Sequence, residues 1–244
     1  MIGLNKKYDN LADEILIQLN IVPKEYNIIN GLIGLGPDIM LDILSEMIFI
    51  PNAIQFVGYP IAVHNPDPID IEFSDGDGVM KRITKKQNNW NTISLTQILD
   101  NGITSLEVEF NTVQCDGNEA IGIVRNSFSI PTRAHWQNSP QKKHIAVFSG
   151  INWGGYIYYK GYQTPGNIGF GSNQIVKLEY NSEKGTLTYF LDNVQQPVYI
   201  TGIKDKVRFV IYMYYSESTC TIRSFKKLTY PTAVTMIGEK AVHW

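Results

Sequence analysis

Apolar and polar residues alternate with a period of two along most of the chain beyond residue 68. Val176, Leu178 and Tyr180 alternate with Lys177 and Glu179, and Leu187, Tyr189 and Leu191 resume the pattern after Asn181-Ser182-Glu183-Lys184-Gly185. That period sets one row of side chains on a buried face and the other in water, so each run predicts a strand. Asn and Ser bond their own backbone and Gly takes positive φ, so the connection reads as a turn and the pair as an antiparallel hairpin. Lys177, Glu179 and Thr188 fall on its wet face. Similar alternation covers Ile69–Phe73, Leu106–Phe110, Ile157–Tyr159, Val207–Met213 and Cys220–Ser224, with shorter apolar runs at Ile121–Ile123 and Ile145–Phe148. Short strands punctuated by Gly and Asn, with no long amphipathic helix between them, predict a mainly β fold: an antiparallel two-sheet sandwich. Only Leu95 to Leu99 suggests a helical turn.

The first part of the chain has a different period. Ala12, Ile15, Leu16 and Leu19 form one helical stripe behind a cap at Asp9 or Asn10, and Pro23 ends it. Pro37 and Asp38 suit a helix start, and Met40, Ile43, Leu44, Met47 and Ile48 then fall on one face until Pro51. Asn65-Pro66-Asp67-Pro68 marks the change of period, since residues before Pro avoid helix. The predicted organisation is a helical extension over residues 1–64, a sandwich over 65–234, and a tail over 235–244 that can supply a terminal strand.

Several pieces in this order resemble a SPRY (B30.2-like) domain, a sandwich of the concanavalin type. They are Trp90-Asn91-Thr92, Asn101-Gly102-Ile103 leading into Leu106-Glu107-Val108, Ile121-Gly122-Ile123-Val124, and Gly154-Gly155 before Tyr156-Ile157-Tyr158. The most specific is Gly185-Thr186-Leu187-Thr188-Tyr189-Phe190, and the likeness spans roughly 69–232. Ser172-Asn173, Glu179 and Asn193-Val194 depart from the family's usual Gly-Asp, Asp and Asn-Gly, as in a divergent member. The resemblance implies a non-enzymatic module that recognises a short peptide of a partner protein through sandwich loops. Leu35 to Met47 resembles the opening of an F-box, with an inserted Gly36, and residues 35–60 are shorter than a full one. Two readings of this segment stand: docking on the adaptor of a cullin–RING ubiquitin ligase, which would make the chain a substrate receptor, or a helix pair packed on the sandwich.

Composition narrows the classes. At 244 residues and 43% hydrophobic content the chain can bury a sizeable core. A net charge of −2 supplies no basic field for nucleic acid or anionic lipid. Ile48 to Val63 is uncharged but broken by Pro51, Gly58 and Pro60, so no membrane span is predicted. Asp9, Asp13 and Glu14 follow Lys6 and Lys7, which does not match a signal peptide. Cys115 and Cys220 are too few and too far apart for a disulfide framework, and a cytoplasmic or nuclear location is expected.

Catalytic chemistry has little support. His64, His135, His144 and His243 carry no metal-ligand spacing, His135 and His144 flank a polar segment that reads as a solvated loop, and Asp75-Gly76-Asp77-Gly78 lacks the rest of a calcium loop. No cofactor or metal is predicted. Concanavalin-like sandwiches include lectins and glycosidases, and Glu107 and Glu109 share a strand face, so a carbohydrate-active sandwich is the competing class. Without a third carboxylate, the two read better as a wet face. The candidate partner-binding residues are aromatics near loops: Trp136, Trp153, Tyr156 and Tyr158, with Arg125 leaving a strand beside them. Each Trp has two open readings, an anchor for a peptide or a plug in the sandwich end.

Overall fold

A computed structural model describes residues 62–76 and 80–244. The chain divides at Pro60/Ile61, so the predicted helices, the F-box-like segment and most of the Ile48–Val63 run lie outside the described residues. Two sheets form the described unit. One has seven strands in the order β1 (Val63–His64), β4 (Asn91–Leu95), β14 (Val207–Met213), β6 (Ala120–Arg125), β7 (Ile145–Ser149), β8 (Ile157–Tyr159), β9 (Tyr162–Thr164). The other has nine: β16 (Lys240–His243), β13 (Val198–Thr201), β11 (Thr186–Leu191), β10 (Ile175–Asn181), β5 (Ile103–Asn111), β15 (Thr219–Leu228), β3 (Met80–Lys85) and β2 (Ile71–Gly76), with β12 (Val194–Gln195) beside β11. All pairings are antiparallel except β13 with β16. Among the described residues no helix is long and apolar enough to cross a membrane, which says nothing of a β-barrel.

The alternating rows interdigitate between the sheets. Leu106, Val108 and Phe110 of β5 and Val176, Leu178 and Tyr180 of β10 share one buried cluster with Ile121, Ile123, Phe148, Phe209 and Ile211 of the facing sheet. The β10–β11 hairpin runs in register from Val176 opposite Leu191 to Asn181 opposite Thr186. Its turn uses the expected chemistry: Asn181 Oδ1 accepts from the backbone N–H groups of Glu183 (3.1 Å) and Lys184 (3.0 Å), and Gly185 sits at φ 60°.

Three expectations need correction. Leu95–Leu99 is not a helical turn; Leu95 ends β4, the chain bends at Thr96, and Leu99 bridges to Val207, its N–H donating to Val207 O at 2.8 Å. Alternation in β15 breaks at a bulge between Ile222 and Ser224, which turns Arg223 onto Glu109 (Nε to Oε2, 2.6 Å). Glu179 and Thr188, on the supposed wet face, are buried. Glu179 accepts from the N–H groups of Thr232 (3.0 and 3.1 Å) and Ala233 (3.1 Å) and from the Thr232 hydroxyl. The segment after β15 therefore crosses the outer face of β10 as a strap before β16 joins β13.

A second ionic group is buried at the other margin. Lys85 Nζ pairs with Asp70, which also accepts from Gln87 N–H (2.8 Å) and Asn91 Nδ2 (3.2 Å). Burial lowers the Lys85 pKa despite the Asp70 partner. The group ties the chain before β2 to the end of β3 and the start of β4.

Candidate functional site

The seven-stranded sheet is buried on both faces, which organises the site. Along β6, Ile121 and Ile123 point into the main core, while Ala120 and Val124 belong to a second apolar cluster on the outer face. β7 contributes Ile145 and Val147 to that cluster, and β14 contributes Val210 and Tyr212. The β6–β7 connection, residues 126–144, folds over this face as a flap carrying Ile130, Ala134 and Trp136. Two strand side chains hold it down: Thr92 Oγ1 donates to Ala134 O (2.8 Å), and Arg208 donates to Phe128 O (3.1 Å).

Aromatic rings mesh beneath and beside the flap. Trp136 is 1% exposed, with Tyr212 edge-on at 4.3 Å and His135 stacked at 4.3 Å. His135, expected in solvent, is buried, and desolvation lowers its pKa to about 4, so the ring is neutral at neutral pH. Its Nδ1 accepts from Gln137 N–H at 3.1 Å. Trp153 ends a 3-10 turn (Ile151–Trp153) and is half-buried against Trp136 at 5.3 Å. The Trp153 carbonyl accepts from Tyr158 OH and Ser149 Oγ, both at 3.2 Å.

The five predicted residues fall into two groups. Trp136, Trp153 and Tyr158 meet in one cluster, with Tyr156 at its margin, 6.3 Å from Tyr158. Arg125 stands in another. It pairs with Asp205, lies 5.1 Å from the Trp244 ring, and donates to Tyr159 OH at 3.4 Å. Trp244 stacks on Tyr159 at 4.8 Å and donates to Asp205 at 2.9 Å, so Arg125 fastens the end of the tail.

Beside the first group the flap and the β8–β9 hairpin bound a cleft of about 180 Å³. Trp136, Ile145, Tyr158, Tyr159 and Tyr162 supply its apolar lining, and Gln137, Lys142 and Gln163 its polar groups. The hairpin turn is Lys160-Gly161, with φ of 52° and 84° and Tyr159 paired to Tyr162. Positive φ at both central positions is the two-residue turn that matches strand twist, and Gly161 adopts it without strain. The turn leaves Tyr162 78% exposed at the cleft mouth. Sequence reasoning missed Tyr159, Tyr162, Lys142, Gln137 and Gln163; the readable signal was Lys-Gly between tyrosines. Trp90, quoted above only for the family resemblance, is 47% exposed and touches His135 edge-on at 5.2 Å.

Glu119, just before β6, is buried beneath the loops at one end of the sandwich. One carboxyl oxygen accepts from the Thr112 hydroxyl, and the other has no partner. Desolvation, with a smaller contribution from Asp116, raises its pKa to about 7. Glu109 is committed to its pair with Arg223. Among the described residues no group of three His, Cys, Asp or Glu is placed to hold a metal.

No family model matches the chain, and no curated protein matches it. The sandwich is similar to solved SPRY domains. The SPRY domain of human HERC1 aligns over 68% of this chain and 99% of its own length, at 11% identity and a TM-score of 0.49. The TRIM65 PSpry domain aligns over 71% and 97%, at 10% identity and 0.49. Stonustoxin aligns over 67% of this chain and 27% of its own, at 13% identity and 0.46. At these values the likeness is one of sandwich architecture and reaches no binding surface.

Proposed function

We propose that this chain is a non-enzymatic protein-interaction module that recognises a short peptide segment of a partner at the cleft beside the flap. The cleft itself supports this reading. Its 180 Å³ would take one or two side chains, and rings held by the packed cluster give contact area at little entropic cost. Gln137 and Gln163 supply amides that can bond a peptide backbone. Arg125 is occupied by Asp205 and Trp244, and the Tyr159 ring by Trp244, so the proposed contacts are Trp136, Tyr158 and Tyr162, with Trp153 and Tyr156 supporting Tyr158.

In its extended form the proposal adds residues 35–60 as the element that docks on a cullin–RING ligase adaptor, making the chain a substrate receptor. Affinity capture with mass spectrometry from the chain's own cell extract tests both parts. Partners retained by the wild type and lost by Tyr162→Ala, at an unchanged thermal midpoint, support the cleft. An identical partner list for the two proteins refutes it. Capture without any ligase adaptor removes the extended form alone.

A further inference from the structure

We infer that the peptide taken by this cleft is acidic: an extended segment carrying Asp or Glu beside one apolar side chain. The inference rests on the peptide reading above and specifies its ligand. One lysine lines the cleft and two stand next to lining residues. Lys142 lines it, and Lys143 follows on the same 3-10 turn, Gln141–Lys143. Lys160, at the tip of the β8–β9 hairpin, is drawn to that turn by its N–H donating to Lys142 O at 2.9 Å. Lys160 Nζ lies 4.6 Å from the Tyr159 ring centre.

The lining contains no carboxylate. Among the described residues Lys85, Lys86, Arg125, Lys206 and Arg223 each have an acidic partner, and Lys142, Lys143 and Lys160 do not. An unneutralised cationic rim on a chain of net charge −2 is a local feature, and it is complementary to an anionic occupant. Nucleic acid fits poorly, because three lysines around a small cleft do not make the extended basic track that a phosphate backbone requires.

The backbone favours an extended occupant. β9 is the last strand of its sheet among the described residues, so its outer N–H and C=O groups have no strand partner there. An added strand would pair along β9, with alternate side chains directed toward the cleft side of the sheet, where Tyr158 and Gln163 are paired. Acidic residues flanking the inserted side chain would then pass the Lys142–Lys160 rim.

The test is selection of a random-peptide display library on the full chain and on its Lys142→Glu/Lys160→Glu variant, followed by fluorescence anisotropy of the selected peptides. The expected wild-type selection is enriched in Asp and Glu around one apolar residue. Replacing those acids by Ser should weaken binding about tenfold at low salt, with the gap narrowing as salt rises. The variant should lose the acidic preference while keeping its thermal midpoint. Selections alike in charge for the two proteins would overturn the acidic assignment and leave the peptide reading intact. Selected peptides whose binding is indifferent to both Tyr162→Ala and the double variant, or no selection at all, would overturn both.

Discussion

Replacing Glu119 by Gln should remove a pH dependence that the wild-type sandwich carries through neutrality. In the folded chain the Glu119 carboxyl titrates near 7, against an ordinary value of 4.5, because burial penalises its charge more than the Thr112 hydrogen bond favours it. Asp116 adds repulsion, and Tyr212, Tyr215, Cys115 and Cys220 lie around the same point. Between those two pH values the folded state binds more protons than the unfolded one. Stability therefore falls as pH rises from the unfolded value and levels off above the folded one. The interval from 4.5 to 7, at about 1.4 kcal/mol per pH unit, caps the loss at about 3–4 kcal/mol. Gln cannot ionise, keeps an oxygen for Thr112, and places its amide nitrogen where the carboxyl oxygen already lacks a partner. Urea unfolding of both proteins from pH 5 to 8.5 measures the difference. All four tryptophans, Trp90, Trp136, Trp153 and Trp244, lie among the described residues, so their fluorescence reports this unit. The expected result is a variant that matches the wild type near pH 5 and exceeds it by about 2–3 kcal/mol at pH 8. Buried neutral His135 contributes the opposite trend on the acid side in both proteins, so only their difference is diagnostic. Parallel pH profiles would refute the assignment.

The two loop tryptophans should separate by burial. Trp136→Ala removes a fully buried ring and should cost about 3–5 kcal/mol, visible as a fall in thermal midpoint of roughly 10 °C or more. Trp153→Ala, half-exposed, should cost about 1–2 kcal/mol, and equal losses would contradict the packing described. Glu179→Ala leaves the Thr232 and Ala233 amides without their acceptor. It should open the strap, raising the rate of limited proteolysis within residues 229–239 several-fold over the wild type; an unchanged cleavage pattern would show that Glu179 does not hold it.

Much of the sandwich could be read from alternation. β5, β10 and β11 follow their predicted faces because one side of each meets the other sheet, and the Asn181–Gly185 turn was legible because its backbone demands are local. What alternation cannot report is what covers the second face. Glu179 and Thr188 looked solvated because the strap that buries Glu179 lies more than 50 residues away in sequence. His135 looked like part of a polar loop because its flap folds back onto β6, β7 and β14, a long-range contact with no local signature. The parallel β13–β16 pairing was invisible for the same reason. At the site, aromatic residue type pointed to Trp136, Trp153, Tyr156 and Tyr158 but not to their depth. Arg125 looked available only because Asp205 and Trp244, which occupy it, come from distant segments.

Hydrogen exchange of the full chain with and without a library-selected peptide tests the central claim most directly, because it reports where along the backbone the ligand sits. The account predicts slower exchange in residues 136–143 of the flap and 157–164 of the β8–β9 hairpin, with Tyr162→Ala abolishing that protection. Protection confined to the strap, the tail or the loops around Glu119, with the flap and hairpin unchanged, would contradict it.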